Sequence, residues 1–462
     1  MQANVTAPLH RTLVASAAAT LFSAALPVSI TLIASHVLGG DELGRVGLAL
    51  WFVSLGALLG ASWGTWLVPQ VARRPSPASA DGVREGIALS TFGGAGVGAI
   101  AAAAGLRADL TLACAVGATA LGAARVLAAV LQARGAYVRL ALAYATGFAV
   151  ALGALAMALA ASATSSTLFA SYVVGLVVAV GLAYLMSDAT HARALPAATL
   201  HEAAKSWSLI LVLALIDAIL WQRSELFFLH LFRSEREVGQ YAAAYAVVAT
   251  VWLAAAATAG VLLPTLARAM HDRESARVIY GRMWIAASLA FPTLLWVAAG
   301  AASVLVGRGG SELHPAPAAL AAVLAIGAGP AASGVVASSA FYAAGLVRPM
   351  VLVGGVGAAA NITLDVALIP AYGMLGAAVA TTTVQLCVAG VAFAIASRVL
   401  GVRRDQAAAA GIALGAGIIG DVALVLMFDG QAQAGLAVGL LAALVMAGIG
   451  TRFAREVRSR TP

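Results

Sequence analysis

Fourteen apolar runs, each long enough to cross a bilayer, follow one another along the 462 residues. A helix rises 1.5 Å per residue, so roughly 20 apolar residues cover a hydrocarbon core about 30 Å thick. The runs lie at 12–37, 46–71, 87–105, 109–131, 140–161, 167–187, 206–232, 240–267, 279–306, 317–345, 349–370, 373–397, 407–428 and 432–451. None shows the alternation over about ten residues that a transmembrane β-barrel strand carries. The pattern predicts an all-α integral membrane protein of about fourteen transmembrane helices. The first run is far longer than the roughly 7–15-residue apolar core of a signal peptide, and is read as an uncleaved span.

Polar residues interrupt this pattern at few places, most sharply in the seventh run, Ser206 to Phe232. Asp217 stands near its middle, with Arg223 and Glu225 beyond it. A charge at the bilayer centre costs about 2.5–3.5 kcal/mol on insertion scales, so such residues face other helices or water inside the bundle. On one continuous helix Asp217, Trp221, Ser224 and Glu225 share a face, and Arg223 and His230 fall on another. Asp217 reads as a protonatable or cation-binding carboxylate, or as a structural one bonded to serine or backbone groups. Arg223 suits a phosphate group through its forked donors, or a neighbouring acid. Arg45 and Glu225 lie nearer an outer end. Asn361 and Asp365, one turn apart in the eleventh run, read as cavity-lining or as an outer-edge hydrogen-bonding pair. Asp421 stands in the thirteenth.

Composition agrees with the pattern. The chain is 62% hydrophobic and 10% charged, against about 25% charged in soluble domains. Its net charge of +8 is dispersed through short loops and does not form a nucleic-acid-binding patch. With the N-terminus inside, 21 of the 27 Lys and Arg residues fall in cytoplasmic segments, which by the positive-inside rule predicts an even span count and two cytoplasmic termini. Cys114 and Cys387 both stand in apolar runs without metal-ligand spacing. His10, His191, His201 and His271 show no metal pattern either, so no metal site is expected. Lys205, the one lysine, follows Ala204, which excludes a Walker A phosphate loop. No cofactor and no enzymatic chemistry are expected.

A repeat lies within the runs. HVLGGDELGRVGLAL around Gly44 resembles LFRSEREVGQYAAAY around Gly239, at an offset that also pairs Glu42 with Glu237, Pro69 with Pro264 and Arg73 with Arg268. A second echo joins the stretch from Gln132 to that from Tyr342. The first copies of the two halves are separated by an even number of spans, which predicts two six-helix lobes related by a pseudo-two-fold axis along the membrane normal. The expected organisation is an N-terminal lobe at 1–187, a cytoplasmic linker at 188–205, a C-terminal lobe at 206–400, and a further helix pair with a basic tail at 401–462.

IASHVLGGDELGRVGLALWFV with WLVPQVARR, SEREVGQYAAAYAVV through LLPTLARAM, and ALIPAYGMLGAAVATTTVQL together resemble polysaccharide biosynthesis membrane proteins. These belong to the MOP superfamily of multidrug, oligosaccharidyl-lipid and polysaccharide exporters, with Wzx-type O-antigen flippases as near relatives. The resemblance implies alternating access in the bacterial inner membrane and a lipid-linked substrate, an undecaprenyl-pyrophosphate oligosaccharide for O-antigen, capsule or exopolysaccharide. It further implies membrane lipid as a partner, coupling to protons or sodium, and association with a polysaccharide polymerase. On this basis Arg223, Arg45, Glu225 and Asn361 are the candidate substrate-binding residues, and Asp217, Asp365 and Asp421 the candidate coupling residues. The arginine cluster that MurJ-type lipid II flippases carry in the first span is missing here, which argues against lipid II. The alternatives are a MATE-like cation-coupled multidrug exporter and, behind it, a membrane glycosyltransferase or polysaccharide polymerase.

Overall fold

The computed structural model describes residues 9–73, 82–161, 163–187, 197–221, 224–270, 272–307, 316–344, 346–402, 404–408, 410–412 and 415. The fold is all-α. Its helices are α1 (Leu9–Val37), α2 (Gly40–Gly56), α3 (Leu58–Arg73), α4 (Val83–Ala103), α5 (Ala108–Ala133), α6 (Tyr137–Ala161), α7 (Ser165–Met186), α8 (Ala197–Trp221), α9 (Glu225–Phe232), α10 (Glu235–Ala269), α11 (Arg273–Gly307), α12 (Ala316–Ala343) and α13 (Val347–Leu400). Among the described residues, ten helices are long and apolar enough to cross a membrane. Two further features bring these to the first twelve runs of the sequence. α2 and α3 form one span bent by 42°, and α13 contains two spans.

The division of α13 follows from Gly373, whose φ of 57° and ψ of −137° break its helical geometry. A side chain disfavours that region, and glycine enters it freely. The chain reverses there. Leu352 and Val391 line one groove, although a straight helix would hold them about 58 Å apart. The close approach of Gly376 to the Leu368 carbonyl, 2.4 Å from where a Cβ would stand, seals the base of the reversal. We call residues 347–372 the first arm and 374–400 the second.

Packing divides the chain into two compact units, residues 1–239 and 240–462. In the first, the core gathers Trp63, Trp66, Leu67, Val126, Leu127, Leu131 and Tyr144. Three indoles tie this core to its surroundings. Trp63 Nε1 donates to the Gly82 carbonyl at 2.8 Å, Trp66 Nε1 to Ser206 Oγ at 2.8 Å and Trp207 Nε1 to Ser62 Oγ at 2.8 Å. The last two fasten α8 to α3. Buried indole N–H groups require such partners, and here each has one.

α2 meets the first turns of α10 without side chains between them. A Cβ on Gly44 would stand 2.1 Å from the Glu235 carbonyl oxygen, and one on Gly239 would stand 2.2 Å from that of Gly40. The two close approaches are reciprocal. The sequence offset that pairs Gly44 with Gly239 also pairs Gly40 with Glu235, so each contact maps onto the other, as around a local two-fold axis. Only glycine lets backbones approach so closely, the device that small residues supply between membrane helices. The second unit is built from α10 onward, α11, α12 and both arms of α13. Thr382 Oγ1 of the second arm donates to the Val323 carbonyl of α12 at 2.8 Å.

Candidate functional site

The seventh run departs from its expected form. The described part of the run is two helices, α8 to Trp221 and α9 from Glu225, with Ser224 in a turn before α9 and residues 222–223 outside the described residues. Ser224 Oγ reaches back to the Ile219 carbonyl at 2.9 Å, a span of five residues that a regular α-helix does not close. Asp217 and Glu225 therefore stand on different helices rather than on the single helical face drawn from one to the other. Asp217 stands three residues before the end of the candidate span Leu200–Leu220. It is exposed. Beside it Leu213, Ile216, Ala218 and Leu220 are buried. Arg223 lies outside the described residues. Glu225, expected to lie toward an outer end, is buried with 1% exposure.

In the second unit the eleventh run yields a buried polar pair. Asn361 and Asp365 are 1% and 0% exposed, and Asn361 Nδ2 donates to Asp365 Oδ2 at 3.0 Å. The i,i+4 spacing gives this contact directly. The pair is thus hydrogen-bonded and buried within its unit. The reversal at Gly373 adds what the linear sequence does not display: Asp365 lies eight residues before the turn and Thr381 eight residues after it, at corresponding depth. Thr381 is buried and shares a hydrogen bond of 3.5 Å with the Tyr241 hydroxyl of α10. Gln385, one turn farther on, is buried as well. Asn361 and Asp365 on the first arm and Thr381 and Gln385 on the second are thus buried polar groups within membrane spans, where such groups are expensive.

Arg45 is half-exposed at one end of α2 and forms an ion pair with Glu42 one turn before it. Glu42 also accepts from Ser165 at the start of α7, from its Oγ and, at 3.3 Å, from its backbone N–H. The arginine offered as a substrate ligand is thus already engaged in fixing helix ends. Asp421 lies outside the described residues. Among the described residues no three His, Cys, Asp or Glu side chains gather as a metal site.

The sequence reading passes over Thr381, Tyr241 and Ser165, and places His230 only on a helical face with Arg223. His230 Nε2 donates to the Ala104 carbonyl at 2.9 Å, and its Nδ1 lies 2.7 Å from Glu235. A signal exists for Thr381, since the run ATTTVQL places four polar side chains in an otherwise apolar span. For Tyr241, Ser165 and the Ala104 contact of His230 the partner is distant in sequence, and only folding brings it near.

No protein-family pattern and no curated protein sequence matches the chain. Solved structures do. The fold is similar to that of the lipid II flippase MurJ in an inward closed conformation, with a TM-score of 0.64 and 12% identity over 94% of this chain and 98% of the other. It is similar to a multidrug resistance MATE family transporter of the MOP superfamily in an inward-facing conformation, with a TM-score of 0.62 and 14% identity over 83% and 94%. A mutant of the Vibrio cholerae MATE transporter VcmN aligns with a TM-score of 0.60 and 12% identity over 86% and 97%. The chain has the fold shared by MATE transporters and MurJ, a multi-pass membrane fold.

Proposed function

We propose that the protein is a transporter of the bacterial inner membrane that moves a lipid-linked oligosaccharide, carried on undecaprenyl pyrophosphate, by alternating access of two lobes. The observation that carries the proposal is a polar pair, Asn361 and Asp365, buried inside a membrane span of a fold shared with known transporters and a flippase. Groups of this kind are expensive in a membrane and mark ion or substrate routes. A glycan cannot enter hydrocarbon, whereas its polyprenyl tail can, so a route for the head beside an opening for the tail is the physical requirement.

Within this reading Asp217 and Asp365 respond to a proton or sodium ion, with Asn361 and Thr381 completing the oxygen set around Asp365. Arg223 holds the pyrophosphate through its fork of donors. Arg45, Glu225 and Asp421 are secondary candidates, and a polysaccharide polymerase is a candidate partner. Support for a lipid-linked cargo over a small-molecule one comes from the sequence motifs around Gly44, Gly239 and Tyr372. Support also comes from the extent of the MurJ alignment, which reaches 94% of this chain against 83% for the inward-facing MATE structure.

The test is complementation of glycan export in a strain lacking its own flippase, together with binding of the lipid-linked substrate to purified protein. Arg223→Ala is expected to weaken binding, and Arg223→Lys to restore only part of it because the fork is lost. Normal export and binding in a well-expressed Arg223→Ala variant would remove the pyrophosphate role. Drug efflux without glycan export would favour the multidrug reading.

A further inference from the structure

The two arms of α13 enclose a groove of about 360 Å³ on the second unit. Leu352, Val356, Ala360 and Leu364 line it from the first arm, and Val384 and Val391 from the second. Leu352 and Val356 are 69% and 64% exposed and Val391 47%, so the groove is open along its length. Thr383 is the one hydroxyl-bearing residue in its lining. The groove is separate from the candidate site on the same arms, because Asn361 and Asp365 are buried and take no part in the lining.

The groove ends in charge. Counting back from Leu352 by one helical turn on the same stripe gives Arg348, and counting on from Val391 by two turns gives Arg398. Each lies 25 residues from Gly373 on its own arm, so the reversal brings both to the same depth. Both are exposed, and among the described residues neither is in an ion pair. An apolar channel with two uncommitted guanidinium groups at one end complements a molecule with an anionic head and a hydrocarbon tail. Length selects among such molecules. Leu352 to Leu364 covers about 18 Å of helix at 1.5 Å per residue, close to the hydrocarbon depth of one leaflet, half of a core about 30 Å thick. A single acyl chain fits that length.

We propose that the groove between the arms of α13 is a binding site for an anionic glycerophospholipid, its phosphate held by Arg348 and Arg398 and one acyl chain lying along Leu352–Leu364. Basic positions at helix ends recognise acidic lipid headgroups in this way. The site is independent of the transported substrate and requires only that the chain stand in a bilayer.

Cys387 lines the groove and is exposed, while Cys114, the other cysteine, is buried. Alkylation of Cys387 by an uncharged, membrane-permeant maleimide therefore reports occupancy. The full chain is reconstituted in phosphatidylcholine vesicles and in equimolar phosphatidylcholine and phosphatidylglycerol. Alkylation is expected to slow about fivefold in the second, the factor that one arginine–headgroup contact supplies. Arg348→Gln with Arg398→Gln is expected to abolish the difference at unchanged surface charge of the vesicle, and Arg348→Lys with Arg398→Lys to retain most of it. Elution as a single species and continued protection of Cys114 check that the variants fold. Equal rates in the two vesicles, or slowing that survives the glutamine pair, would overturn the proposal. So would protection by a long-chain polyprenyl phosphate in phosphatidylcholine where phosphatidylglycerol gives none, which would assign the groove to a substrate tail.

Discussion

Asp217 and Asp365 both stand within membrane spans, and the fold treats them in opposite ways. Asp217 on α8 is exposed, although the residues beside it are buried. Asp365 on the first arm of α13 is fully buried and accepts a hydrogen bond from Asn361. In sequence both are a single carboxylate in a run of Ala, Leu and Val. The difference is that Asp365 has a carboxamide one turn before it, whereas the residue one turn before Asp217 is Leu213. A buried carboxylate needs partners supplied by the protein, and an exposed one needs a surface that is not hydrocarbon. Asp365 is therefore built into the packing of its unit, and Asp217 is free to answer to what arrives from outside.

The largest expected effect separates the two by stability. Asp365→Ala removes the acceptor of the buried Asn361 amide, and leaving a buried donor unsatisfied costs about 1–3 kcal/mol. Asp217→Ala, at an exposed position, is expected to fall within about 0.5 kcal/mol of the parent. Thermal unfolding of the purified proteins in one detergent measures both. Equal losses would break the comparison. The pair Asn361→Leu with Asp365→Leu sharpens it, because replacing both partners by apolar groups is expected to recover much of the loss that either single change produces.

Transport tests the exposed member. Asp217→Asn is expected to lower glycan export about tenfold, equivalent to about 1.4 kcal/mol, while expression and unfolding temperature stay at the parent level. Uptake into vesicles with and without a proton or sodium gradient reads the same variant directly. A parent-like rate with a parent-like gradient response would move Asp217 from the mechanism to the scaffold.

The contrast also marks what the sequence makes legible. Apolar run length fixes membrane crossings because the hydrocarbon thickness imposes it, and the first twelve runs all appear as described helices. The reciprocal close approach of backbones at Gly44 and Gly239 joins two stretches whose similarity is legible in the sequence, but the contact itself is not. The Asn361–Asp365 bond follows from helical spacing alone. The turn at Ser224 between α8 and α9 is not legible, since the seventh run is apolar enough to continue as one helix. Nor is the relation of Thr381 to Asp365, which depends on a reversal at one glycine among 48. Burial of Glu225 is hidden for the same reason, since exposure near a span end depends on which neighbours cover it.

The smallest expected effect concerns a third charged group, His230 on α9, which lies beyond the spanning window of α8 and outside every candidate span. It shares with Asp365 a specific partner and with Asp217 access from outside. The hydrogen bond to Glu235 raises its pKa above the ordinary histidine value, opposed by partial burial and assisted by the Ala104 carbonyl. A raised folded-state pKa means that the protonated form is bound more tightly in the native protein than in the unfolded chain. The stabilisation is fully present below the unfolded value of about 6.5 and disappears as pH rises through the folded value. His230→Gln is accordingly expected to lower the unfolding temperature near pH 5 and to match the parent near pH 9. The pair is partly exposed, with side-chain exposures of 17% and 27%, and screening by solvent holds its contribution to about 1 kcal/mol or less. Unfolding scans of parent and variant across that range measure it. A difference that grows with rising pH would assign His230 a neutral structural role through Ala104 and leave the ion pair without effect.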